Sequence, residues 1–187
     1  MSATETKLSQ ALLKKRAENN SLEKPLTLEK ILLKFDKLRG VVGHVKTIFE
    51  QVSVNGKLNN AGLEAVMKRL NVKMSMEDIL DLFDFVNIQE HDDITMKEFL
   101  VALTIGMVLE VIPAFSDIHN TPVQQTKQAG QPPAPVKRSF SVLLGHNHEI
   151  KEMLNLIVSA YLIFDVEARG YISRDVIENM MEEVVML

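Results

Sequence analysis

Asn87, Gln89, His91 and Asp93 set polar side chains at alternate positions of a twelve-residue stretch that ends in the carboxylate of Glu98. Donors so spaced can surround a hard divalent cation such as calcium, with the twelfth-place glutamate giving two oxygens and an apolar residue, here Ile94, at the eighth place. Charge is depleted, because amides and an imidazole stand where aspartates are expected and Asp92 stands where a glycine is. A second stretch, Asp165 to Val176, offers Asp165 and Glu167, with Gly170 and Ile172 at the sixth and eighth places. There Arg169 brings a cation to a ligand position and Val176 an alkyl group to the twelfth. A third stretch near residues 53–62 has Gly56 and Leu58 but is two residues short, and Gly62 stands in place of the glutamate. These groups also have structural uses, which are the preferred reading. Glu98 can complete a capping box with Thr95, and Asp165 and Glu167 can pair with Arg169 and cap a helix end.

Apolar residues at three- and four-residue spacing flank each stretch and predict the helices that hold it. Ile79, Leu82, Phe83 and Val86 precede the first stretch; Phe99, Leu100 and Leu103 follow it. Ser75-Met-Glu-Asp78 and Thr95-Met-Lys-Glu98 supply start signals for these two helices. Helices over 41–52 and 60–70 bracket the short loop, and a helix from about Glu149 to Phe164 leads into Asp165. Leu58 and Ile94 are expected to pair as a short antiparallel bridge. From Thr27 to Arg39, the positions Leu28, Ile31, Leu32, Phe35 and Leu38 predict a further amphipathic helix, with a staple between Leu26 and Ile31 and Gly40 placed to end it. Residues 1–26 read as a mobile tail and 113–146 as a flexible linker rich in proline and glutamine.

The chain has 187 residues, 46% of them hydrophobic, enough for one sizeable core or two small lobes. Its formal charge of −4 comes from interspersed acids and bases, which leaves no basic stripe for nucleic acid. Without cysteine there are no disulfides and no thiolate metal sites. The N-terminus lacks an apolar signal core, so a cytoplasmic residence is expected. The apolar run from Phe99 to Leu109 falls short of the roughly 20 residues a membrane helix needs, so no membrane insertion is expected. No nucleophile, phosphate loop or paired-carboxylate arrangement occurs at a catalytic spacing, and an enzyme is not expected.

The spaced apolar positions, with Gly56, Gly170, Ile94, Ile172 and Glu98, resemble the EF-hand, and the chain looks like a degenerate calmodulin-like protein. The resemblance implies an all-α fold of helix-loop-helix units: one paired N-terminal lobe over 27–112, then a third, unpaired hand over 147–187, with no room for a fourth. It further implies a non-catalytic structural or regulatory subunit, largely independent of calcium, in a larger assembly such as a cytoskeletal or ciliary one. The alternative is a calcium sensor with one weak site and no other cofactor. Leu28, Ile31, Leu32, Phe35, Phe99, Leu103, Met107, Ile172, Met180 and Met181 are the expected contacts for a helical or extended protein partner. The third hand is expected to be completed from outside, by that partner or by a second copy in a homodimer.

Overall fold

Two helix-loop-helix units are joined by a two-residue bridge in the computed structural model, which describes residues 3–21, 27–87, 91–116, 148–165, 172 and 175–176. The first unit runs from the end of α2 (Leu28–Glu50) through a short loop and β1 (Leu58–Asn59) into α3 (Asn60–Arg69). The second runs from α4 (Met76–Val86) through its loop and β2 (Asp93–Ile94) into α5 (Met96–Val108). β1 and β2 are antiparallel, with Leu58 opposite Ile94 as the sequence predicts. Both side chains are fully buried, so the bridge is pinned by the core as well as by its backbone bonds. The predicted capping box starts α4: Asp78 N donates to Ser75 Oγ at 3.1 Å, and Ser75 N to Asp78 Oδ2 at 3.3 Å. The fold is all-α, and no helix among the described residues is long and apolar enough to cross a membrane.

Helix α2 differs from the sequence expectation, because Gly40 does not end it. The helix continues to Glu50, and a Cβ at Gly40 or Gly43 would meet nothing within 4 Å. Each glycine costs about 1 kcal/mol in a helix interior. That penalty is offset by the burial of Leu28 and Ile31 before the glycines and of Val41, Val45, Ile48 and Phe49 around and after them. Thr27 is the N-cap by its extended backbone, though its side chain makes no capping bond. Leu26, the other half of the expected staple, lies outside the described residues.

Helices α3 and α5 end alike. Val72 N donates to Met67 O and Asn71 N to Lys68 O after α3; Val111 N donates to Gly106 O and Glu110 N to Met107 O after α5. These are Schellman motifs, with Asn71 and Glu110 in the left-handed position at φ 52° and 57°. Lys73 N donates to Val111 O at 2.9 Å and ties the two exits together. A glutamate at such a position carries backbone strain that glycine does not. Glu110→Gly is therefore expected to stabilise the protein by about 1 kcal/mol, seen as a higher urea midpoint.

Among the described residues, three further helices pack on these two units. α6 (Pro113–Ser116) turns Phe115 inward, and α7 (His148–Phe164) lies against α2 and α5 with Ile150, Met153, Leu154, Leu156 and Val158 buried. α5 is enclosed nearly all round, from Ala102 to Val108, as its apolar sequence requires. Its extra cover comes from α7 and from α1 (Ala3–Asn20), within the chain. Residues 1–26 were expected as a mobile tail, yet α1 packs on α4 and α5 through Leu8, Ala11 and Leu12. The incoming helix of the third hand packs on α2 and α5 within the chain. Of the expected 165–176 loop, only Asp165, Ile172, Asp175 and Val176 are described.

Candidate functional site

The loop between α4 and α5 gathers most of the candidate ligands, and its local bonding shows how each is used. Asn87 caps the end of α4 and is buried, with its Oδ1 accepting from His91 N at 3.2 Å and its Nδ2 donating to His91 O. Both ends of the carboxamide are thus spent closing the loop. His91 is exposed, and Asp93 sits half-buried in β2 opposite Asn59. Glu98 Oε2 accepts from Thr95 N at 2.7 Å and Thr95 Oγ1 at 2.8 Å, completing the second capping box. Gln89 lies outside the described residues. Among those described, no three His, Asp or Glu side chains are grouped so as to hold a metal ion. Among the described residues, the loop's carboxylates that could serve a cation are those of Asp92, Asp93 and Glu98, and Glu98 would have to leave its cap in part to do so.

In the first unit the chain has built something else. Val54 and Lys57 exchange backbone hydrogen bonds at 2.8 and 3.1 Å, with Asn55 and Gly56 between them at φ 54° and 72°. Two successive positive φ values are what a two-residue hairpin turn requires, and Asn-Gly is its preferred sequence. A self-satisfied hairpin therefore stands where a ligand loop would be. The Asn55-Gly56 dipeptide was the available signal, and the sequence reading used only its glycine. Asn59 Oδ1 caps α3 by accepting from Gly62 N at 2.9 Å. A Cβ on Gly62 would lie 2.5 Å from Leu58 Cδ1, a buried atom of the bridge, so the twelfth place is closed to any side chain unless the core shifts.

The third unit begins at Asp165, which is buried at the end of α7 with its N–H donating to Tyr161 O at 2.8 Å. Burial first, then the Asp165 carboxylate and the hydrogen bond to it, push the Tyr161 phenol up to about 12, with Arg16 of α1 pulling the other way. Asp165 is thereby engaged in a contact between α7 and its own loop. Glu167 lies outside the described residues.

Helix α1 adds a polar set that the sequence reading missed. Thr4 N donates to Asp81 Oδ2 at 2.9 Å, Lys7 Nζ pairs with Asp78 Oδ1 at 2.8 Å, and Arg16 Nη2 donates to Leu162 O at 3.3 Å. The Lys7 hydrogen bond, with Ser75 next, holds the Asp78 carboxyl below its ordinary value, and Asp78 raises Lys7 in return. These contacts join residues far apart in sequence, so no local pattern announces them. Between α1 and the end of α5 lies an open cleft of about 400 Å³, lined by Lys7, Ala11, Lys14, Val108, Leu109 and Glu110 among others.

Of the expected partner contacts, Leu28, Ile31, Phe99, Leu103 and Met107 are core residues, out of reach of a partner in this arrangement. Their apolar spacing served packing between the chain's own helices. Ile172 is half-buried. The side chains of Leu32 and Phe35, and all of Met180 and Met181, lie outside what is described. The large apolar side chains left exposed include Met76, Leu80 and Phe85 on α4, Leu33 and Val42 on α2, and Val101 on α5.

No family model and no solved structure matches the chain. It is similar to a probable calcium-binding protein, CML21, of Arabidopsis thaliana, with 24% identity over 181 residues that make up 96% of this chain and 67% of that protein. Helix-loop-helix pairing, the Leu58–Ile94 bridge and this likeness agree on the class. In fold and in sequence the chain resembles a calmodulin-like EF-hand protein.

Proposed function

We propose that the protein is a non-catalytic structural or regulatory subunit that binds a protein partner through helix packing, largely independent of calcium, within an intracellular assembly. One observation carries this reading most: the second loop, which retains the twelfth-place glutamate, spends Asn87 and Glu98 on bonds that hold its own backbone. A cation there would compete with contacts already made, and with fewer acidic ligands than sensor loops use. A second reading, a sensor with one weak site, is favoured by Glu98 and Ile94 in register and by the printed description of the relative.

Calorimetric titration with calcium separates the two. The expected result is no binding tighter than about 100 µM, against micromolar values for sensor loops. A well-fitted micromolar isotherm that disappears in Glu98→Gln would replace the structural reading with the sensor. For the partner, affinity capture from the native source in calcium and in chelator should retain the same protein under both conditions.

A further inference from the structure

Helix α7 carries the pattern of a ligand helix seated in a groove. Ile150, Met153, Leu154 and Val158 are buried against α2 and α5, while Glu152 and Asn155 face solvent. Anchors at such spacing are how an amphipathic helix fills an apolar groove. The connection to the rest of the chain, residues 117–147, is too long to impose this docking as a tight turn would. Holding α7 in place are its apolar stripe and, at its end, a contact with α1. Leu162 is in the last turn, where carbonyls lack helical partners, and Arg16 donates to its oxygen. A cation at a helix C-terminus also complements the helix dipole. At its other end α1 is fixed to α4 by Thr4 with Asp81 and Lys7 with Asp78, so it reaches from the second hand to the end of α7. Its own apolar contribution is small, with Leu8, Ala11 and Leu12 only partly buried and Leu13 exposed.

We propose that α7 occupies a helix-docking groove on α2 and α5 from within the chain, that α1 latches it there through Arg16, and that a partner's amphipathic helix enters by displacing α7. This rests on the reading of the protein as a partner-binding subunit, but its test uses no outside partner, so the two fail separately. Arg16 acts here as a positioning residue. Attachment in the same chain gives α7 an effective concentration on the order of 1 mM, so with an intrinsic Kd of about 10 µM for α7 itself any competing helix binds roughly 100-fold more weakly than to an empty groove.

The probe is a fluorescent synthetic peptide of residues 147–165, titrated into the full chain. Wild type should bind it weakly, and Met153→Asp/Leu154→Asp, which removes the chain's own α7 from the groove, roughly 100-fold more tightly. Arg16→Ala should tighten peptide binding by roughly threefold to tenfold, and Arg16→Lys, which keeps the charge, should stay near the wild-type value. Equal affinity for wild type and Arg16→Ala overturns the latch. Should the double variant fail to fold, amide exchange decides on the single one. Faster exchange in α7 of Arg16→Ala with α5 unchanged supports the proposal. Unchanged exchange in α7, or α5 and α7 accelerating together, shows α7 to be an ordinary part of one cooperative core and overturns it.

Discussion

Phe99→Ala, which truncates the largest fully buried side chain among the described residues, should cost about 3–5 kcal/mol. Phe99 opens the buried face of α5 with no exposed surface, and its ring lies 5.4 Å from that of Phe49, tilted by 45°. Phe49 belongs to the end of α2, so the pair joins the incoming helix of the first hand to the outgoing helix of the second. Tilted aromatic pairs add about 0.5–1.5 kcal/mol beyond the area they bury. Alanine would lose that term, the transfer energy of the ring and the packing of a cavity enclosed by neighbours that cannot collapse far. Domains of this size hold about 5–15 kcal/mol in total, so a large share of the stability rests on this ring. Urea unfolding followed by circular dichroism gives the measurement: the midpoint falls while the slope stays constant. A loss under about 1.5 kcal/mol would mean that the two hands are not joined through this contact.

Sequence and structure agree where short-range physics decides. Ser75 with Asp78 and Thr95 with Glu98 form their capping boxes as spaced, because the partners are three residues apart on the first turn of a helix. Leu58 and Ile94 pair because each is the apolar residue just ahead of a helix start, and burying both aligns the strands. Agreement ends where distant residues decide. Helix α1 is mostly polar, and its place is set by Asp78, Asp81 and Leu162, all more than seventy residues away in sequence. Gly40 reads locally as a stop, yet Val41 and Val45 beyond it are buried like Ile31 before it, and burial outweighs the glycine penalty. The candidate ligands were legible as a set, but not their use. That depends on bonds such as Asn87 to His91, which exist only once the loop has closed.

Restoring the missing charge in the second loop should convert it to a calcium site. In Asn87→Asp/Gln89→Asp/His91→Asp/Asp92→Gly the loop gains carboxylates at its first, third and fifth places, and gives up that of Asp92 for the glycine that its sharp turn expects. Ile94 is already buried in the bridge and Glu98 already stands on the first turn of α5, so the frame that aims the ligands needs no rebuilding. The Kd is expected to move from weaker than about 100 µM to roughly 1–10 µM by calorimetry, with Glu98→Gln on this background abolishing it. At a calcium concentration about 100 times its Kd, the site would also stabilise the fold by about 2.7 kcal/mol, visible as a calcium-dependent melting temperature that wild type lacks. Gly62→Glu in the first unit should yield no site, because the Asn55-Gly56 hairpin has no ring of donors and Leu58 Cδ1 lies 2.5 Å from where the new Cβ must go. A reconstructed second loop that titrates like wild type would show that the bonds among Asn87, His91, Thr95 and Glu98, and not the shortage of charge, are what keep calcium out.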